Sequence, residues 1–322
     1  MYRCNGCKGE KIMSNDENRR AASGSQILGQ RMNRRSVVRV SVAGATFLAA
    51  TPLAGSAAPG IRSRTTGAVA QEEAQRGGKL VIATTGQPAG LDSHFSSQRT
   101  VGFISWQMYE ALFTFDADYE TVPMLAESHV VSDDGLTTTI TLRQGVNFHN
   151  GEVMTAADVV ASFNRWAPVS ALGLAISPFL ESITEVDPAT VEIRLTSPLT
   201  ALPSMLARQA QGLSIHPKSV IDAAGSDPLG DAGYIGTGPY QFVEREADRY
   251  TRLKRFEDYV GLDTPNSGYA GAKAANLDEL EFIPVPDEAA RVAGLQAGDY
   301  HYLEEIIPDQ IEAIGDNPDV NI

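Results

Sequence analysis

The spacing of apolar and polar positions divides the chain from residue 79 onward into short strands and a few helices. Lys79-Leu80-Val81-Ile82-Ala83, entered through Gly77-Gly78, predicts a strand. Residues 100–113 place Phe103, Trp106, Met108 or Tyr109, and Leu112 on one face at helical spacing, which predicts a helix with that stripe in the core. His129-Val130-Val131 and Thr137 to Leu142 flank Ser132-Asp133-Asp134-Gly135, whose Asp-Gly suits a tight turn, so 129–142 reads as a hairpin. Two more hairpins follow the same logic. One turns at Asp187-Pro188 between Ile183–Val186 and Val191–Leu195; the other joins Tyr240–Val243 to Tyr250–Leu253. Thr155-Ala156-Ala157-Asp158 reads as a helix start, with Thr155 as N-cap and Asp158 at the positive end of the helix dipole. Val159, Val160, Phe163 and Trp166 lie on its apolar side. From 277 the order becomes strand (Leu280 to Val285), helix (Asp287 to Ala297), strand (Tyr300 to Leu303) and helix (Pro308 to Ile314). A βαβα run after a series of hairpins predicts a mixed α/β lobe followed by the opening of a second.

Charge adds a leader to this picture. The chain has 322 residues at net −14, with 43% apolar and 20% charged residues, so disordered, collagenous and coiled-coil proteins are excluded. Residues 1–70 hold 11 Lys or Arg against 3 Asp or Glu, and the remaining 15 and 37 leave 71–322 at net −22. A body this acidic argues against a nucleic-acid partner. Its acidity is read as a solubility feature before a sign of a cationic ligand. The leader has the anatomy of a signal peptide: a basic stretch Asn33 to Arg39, then a mildly apolar Val40 to Ala54, too short to span a bilayer. Cleavage is expected after Ala68-Val69-Ala70 or near Ser56-Ala57-Ala58. Arg34-Arg35 resembles a twin-arginine signal, although Val37 and Val38 depart from the commonest pattern. Met32 is the expected start, with 1–31 as upstream sequence outside the protein and 32–70 as the signal peptide.

The two cysteines, Cys4 and Cys7, fall in that upstream stretch. A zinc site needs about four ligands and no second pair exists; a redox C-x-x-C would open a helix, and Lys8-Gly9-Glu10 starts none. Neither a metal nor a cofactor is expected. The motifs G-x-S-x-G, H-E-x-x-H, G-x-x-x-x-G-K-[ST] and G-x-G-x-x-G are absent, which sets an exported hydrolase aside. Arg143 is expected in a surface or intralobe ion pair. His149 is expected to be a locally hydrogen-bonded loop residue rather than a metal ligand.

Several segments occur in a fixed order: Leu125-Ala126-Glu127-Ser128, Ser132 to Leu136, Leu142 to Gly151 (LRQGVNFHNG), and Thr155 to Val160. Together they resemble the signature of family 5 extracellular solute-binding proteins of ABC importers, the oligopeptide, dipeptide and nickel binders. Gly236-Thr237-Gly238-Pro239-Tyr240 with Arg255 to Tyr259 resembles that family's central loop and strand, and Ile283 to Tyr300 its crossing into a second lobe. The resemblance implies a periplasmic-binding-protein type II-like fold, α/β, in which ligand is enclosed between two lobes. The first lobe is expected over 71–284 and the start of the second over 285–322. The chain stops where a strand begins, and a second lobe needs on the order of 150 to 200 more residues. The expectation is therefore a C-terminally truncated member.

By the same resemblance, the loop after the first strand and the central loop flank the ligand. They offer Phe95, Ser96, Ser97 and Gln98, then Thr237, Gly238 and Tyr240, as ligand-binding residues. The competing reading gives Gly236 and Gly238 only a backbone role and puts Trp106 and Trp166 in the core. The implied function is an exported, monomeric, non-enzymatic receptor on the outer face of the cytoplasmic membrane. It would pass a peptide or similar solute to ABC permease subunits by cleft closure. The alternative is a non-transporting remnant or interaction module.

Overall fold

The computed structural model describes residues 76–207, 211–315 and 320. The expectations for 1–70, namely the Met32 start, the signal segment with its cleavage sites, and Cys4 and Cys7, lie outside the described residues, as do residues 319, 321 and 322 of the strand start expected at 319–322. In chain order the elements are β1 (Lys79–Thr84), α1 (Arg99–Met108), β2 (Phe113–Phe115), β3 (Thr121–Pro123), β4 (Ala126–Val131), β5 (Thr137–Leu142), α2 (Ala156–Trp166), α3 (Ala171–Ile176), β6 (Leu180–Asp187), β7 (Thr190–Leu195), α4 (Leu202–Leu206), α5 (Lys218–Ala224), β8 (Tyr240–Glu246), β9 (Tyr250–Arg255), β10 (Glu279–Pro284), α6 (Glu288–Ala297), β11 (Tyr302–Leu303) and α7 (Pro308–Gly315).

The strands form two larger sheets and a small β2-β3 pair. One sheet, in the order β4-β5-β7-β6, is antiparallel throughout. Its alternation is the one expected: Thr138, Ile140 and Leu142, and Val191, Ile193 and Leu195, point inward. They meet Phe163 and Trp166 of α2 in a core that also holds Phe113, Phe148 and Leu206. Full burial of each such side chain contributes about 1.5–3 kcal/mol. Asp158 places α2: its carboxylate accepts the Thr155 N–H at 2.7 Å, closing the capping box, and the Lys218 N–H at 2.7 Å, which anchors the start of α5.

The second sheet runs β11-β1-β10-β9-β8, with β1 parallel to both β10 and β11. Its core joins Ile82, Leu253, Leu280 and Phe282 to Ile104 and Met108 of α1. β10 and β11 flank the same strand, β1; two parallel strands need a crossover, and α6 supplies it.

A buried polar cluster spans the two cores. Arg165, from α2, makes a two-pronged ion pair with Asp92, from the loop after β1, at 3.2 and 2.6 Å; the side chains are 4% and 3% exposed. Burial alone would raise the Asp92 pKa, but the guanidinium and the Leu229 N–H hold it below the usual carboxylate range. Arg165 also donates to His94 Nδ1 at 3.2 Å, so the His94 proton sits on Nε2 and is donated to the Ser214 carbonyl at 2.8 Å. His216 stands edge-on to His94, with ring centres 5.0 Å apart.

Burial holds His94 down at about 3, aided by repulsion from His216, and holds His216 at about 4. Both are neutral in the fold and regain an ordinary pKa of about 6.5 when unfolded. Their contribution is complete above about pH 6.5 and is lost as pH falls toward 4. The expected outcome is a urea midpoint that is flat from about pH 8 to 7 and drops between about pH 6.5 and 4.5. The loss approaches 1.4 kcal/mol per unit per histidine, roughly. An unchanged midpoint across that window contradicts it.

Candidate functional site

A cavity of about 840 Å³ opens between α1, the Pro239-Tyr240 turn and the loop 266–274. Phe103, Trp106, Tyr240, Tyr269, Lys273 and Tyr302 supply most of its character. Trp106 and Tyr269 lie 4.5 Å apart between ring centres, and Phe103 stacks on Tyr302 at 5.9 Å. This corrects the expected face of α1. Val101, Ile104, Ser105 and Met108 face the core, while Phe103 and Trp106 are half-buried on the cavity side. The helix also ends at Met108 instead of continuing to 113: Tyr109 is extended, and the Met108 carbonyl accepts the Gly238 N–H at 2.9 Å.

That bond brings two backbones together, and glycine is required for it. A Cβ on Gly238 would stand 2.7 Å from the Met108 carbonyl carbon, and one on Gly236 would stand 2.3 Å from the Met108 oxygen. His149 braces the same loop from behind. Its Nδ1 accepts the Gly236 N–H at 3.2 Å, so Nε2 carries the proton and donates to the Gly238 carbonyl at 3.0 Å. Burial holds its pKa at about 4.

Glu110, two residues past the end of α1, gathers two of the walls. Its side chain is 0% exposed. Oε2 accepts the Thr237 hydroxyl at 3.0 Å and Oε1 the Tyr259 hydroxyl at 2.9 Å, with Lys273 Nζ 3.6 Å from Oε1. Burial, then the Glu110 charge, push the Tyr259 pKa up. Burial pulls the Lys273 pKa down against the opposing pull of Glu110. Arg143 is not in the expected ion pair. Its guanidinium donates to the Met124, Val260 and Gly261 carbonyls at 3.1, 2.7 and 3.0 Å, fixing the base of the loop that carries Tyr269 and Lys273.

Of the seven sequence-derived candidates, Ser97 and Tyr240 line this cavity. Thr237 and Gly238 are buried behind the wall, one bonded to Glu110 and the other against Met108. Phe95 lies under the Arg165 guanidinium, 4.7 Å from its ring centre, in a separate cleft beside α2 and α5. Ser96 accepts the Gln98 N–H at 3.3 Å, and Gln98 is the exposed residue before α1. Sequence reasoning missed Trp106, Glu110, Tyr269 and Lys273 as site residues. A Glu in the apolar run between Tyr109 and Leu112 is the one signal that pointed there. Among the described residues, no cluster of three or more His, Cys, Asp or Glu side chains could hold a metal, and no single helix is long and apolar enough to cross a membrane.

The family model for bacterial extracellular solute-binding proteins, family 5, matches residues 120–322. The chain belongs to this family. Among its relatives are the glutathione-binding protein GsiB of Salmonella typhi, 31% identical over 247 residues, covering 76% of this chain and 45% of that protein, and a probable peptide ABC transporter periplasmic-binding protein of Sinorhizobium fredii, 32% identical over 221 residues, covering 67% and 40%. Among solved family structures, Helicobacter pylori DppA with the peptide STSA superposes at a TM-score of 0.65 with 25% identity, over 76% of this chain and 50% of that one. AgaA of A. tumefaciens with agropinic acid gives 0.65 with 26% identity, over 75% and 46%. The fold is that of the periplasmic binding proteins, and the chain spans about 45% of the length of the GsiB relatives it matches.

The close approach of Gly238 to α1 makes a direct test. Gly238→Ala is expected to cost about 1–3 kcal/mol, because backbone must move to admit the methyl group. Gly86→Ala, with open space around it, is expected to cost less than about 1 kcal/mol. Urea midpoints of the two variants check this, and equal values contradict it.

Proposed function

We propose that this chain is the solute-capturing component of an ABC importer, that it takes up a peptide or similarly sized solute, and that the cavity on α1 is its contact surface. The observation that carries this is the cavity itself: five aromatic side chains on a wall braced from behind, in a chain whose family is solute-binding. The names of its relatives point to peptide-like and small organic ligands. Of the sequence-derived residues, Ser97 and Tyr240 line the cavity, and in this reading they touch ligand. Thr237 and Gly238 support the wall, and Phe95, Ser96 and Gln98 stand apart from it. The described residues correspond in this reading to one lobe of a two-lobed protein, exported and acting as a monomer, with permease subunits as its membrane partner. Its mechanism is capture and closure, with no bond chemistry.

The test uses thermal melts and tryptophan fluorescence of the full chain with glutathione, Ser-Thr-Ser-Ala and a set of dipeptides. Trp106 is the reporter, because the only other tryptophan, Trp166, is fully buried and bonded to the Gln211 carbonyl. A saturable rise in Tm with a fluorescence change, absent in Trp106→Leu, is expected for at least one compound. No saturable response to any of them contradicts the reading and favours an interaction module.

A further inference from the structure

We propose that His149 is an acid-sensitive latch: on taking up a proton it releases the loop 235–238 from α1 and loosens the side of the cavity that Pro239 and Tyr240 form. The device belongs to the chain's own loop and does not depend on the solute-binding reading.

Stereochemistry carries it. The Gly236 N–H only donates, so the His149 Nδ1 that meets it at 3.2 Å is bare. The Gly238 carbonyl only accepts, so Nε2, at 3.0 Å, holds the ring proton. One neutral tautomer alone satisfies both bonds. A second proton, on Nδ1, sets two N–H donors against each other across that 3.2 Å. The loop has no room to retreat toward α1, because Gly236 and Gly238 already pack against the Met108 backbone too closely to admit a Cβ. It must therefore leave, giving up the bond from the Gly238 N–H to the Met108 carbonyl at 2.9 Å. Pro239 and Tyr240, which line the cavity, follow directly in the chain.

The charged neighbours among the described residues are committed elsewhere, so none is placed to welcome the new cation. Phe256 presents its ring edge-on, 5.0 Å between centres, and the adjoining Arg255 and Glu257 pair with each other. Asp231, which shares a pocket of about 390 Å³ with His149, is paired with Arg245 at 3.1 Å; Tyr234 and Gln241 beside it carry no charge. Glu152, on the histidine's own turn, accepts the Ser219 hydroxyl. Across the loop, Glu110 is bonded to Thr237 and Tyr259. His216 grips the loop as well, donating from Nδ1 to the Ile235 carbonyl at 3.0 Å, and its charge would repel a proton on His149.

Burial holds His149 at about 4 while the loop is latched, and release returns it to an ordinary value of about 6.5. The latch is complete above about pH 6.5. Below that, the ratio of latched to released loop falls by up to about ten-fold per pH unit, until about pH 4.

The experiment follows amide hydrogen exchange of the full chain by NMR between about pH 7.5 and 5, corrected for the intrinsic rate, together with the ring nitrogen shifts of His149. At pH 7 the ring is expected to be the Nε2–H tautomer. Gly236 and Gly238 are expected to exchange faster than Ile140 and Ile193 of the core sheet, and to lose about ten-fold of their protection per unit below about pH 6.5. His149→Gln, which does not titrate, is expected to flatten that slope at Gly236 and Gly238 and leave the slope at Ile140 and Ile193 as it was. Exchange of Gly236 and Gly238 in step with Ile140 and Ile193 at every pH overturns the proposal, because the loop then opens only with the whole fold. Protection at the loop that does not change with pH overturns it too, as does an unaltered loop slope in His149→Gln. Should His149→Gln fail to fold, the ring tautomer and the comparison of loop with core on the wild type decide alone.

Discussion

A carboxylate with no exposure to water cannot be left without partners, and Glu110 draws two separate segments toward itself on that account. Thr237 comes from the loop before β8, while Tyr259 and Lys273 come from the two ends of the segment between β9 and β10. Glu110 itself lies two residues past the end of α1. The loop before β8 and the segment between β9 and β10 therefore meet at one charge, while the side of the cavity carrying Tyr302 and Glu304 does not reach it. The close packing of Gly236 and Gly238 on Met108, the His149 brace and the Arg143 clamp lock the same segments from their far sides. Removing one partner from such a cluster leaves the others buried and unsatisfied, so the arrangement acts as a unit.

The Asp92–Arg165 pair does for the two cores what Glu110 does for the cavity. A buried ion pair is weak evidence for net stability, because desolvation offsets most of the attraction. Its effect here is positional. Arg165 sits on α2 beneath one sheet and Asp92 follows β1 in the other, so the pair sets the register between them. His94, kept neutral by its burial, accepts from the same guanidinium and joins the loop at Ser214 to the cluster.

The hairpins and α2 were legible in the chain because each rests on local chemistry. Alternation with an Asp-Gly or Asp-Pro turn places β4–β5 and β6–β7, and Thr155 with Asp158 starts α2. What escaped depends on contacts between distant residues. Nothing near Asp92 announces that its partner lies 73 positions away. The α1 stripe was rotated because Phe103 and Trp106 match helical spacing as well as Ile104 and Met108 do; only the neighbouring sheet decides which face is inner. The return of β11 to β1 is likewise a matter of long-range pairing, which no local pattern encodes. The glycines of the central loop were legible as backbone devices, but not the helix end they pack against.

Together these features describe an aromatic wall braced from behind by buried polar contacts, the surface that the proposed reading gives to the ligand. The measurement that tests the account most directly is backbone hydrogen exchange on the wild type and on Glu110→Gln. If one buried carboxylate holds the site, the end of α1, residues 236–240 and residues 259–273 lose protection together while β4 to β7 stay unchanged. Loss confined to the immediate neighbours of residue 110, or spread evenly over both sheets, would contradict it.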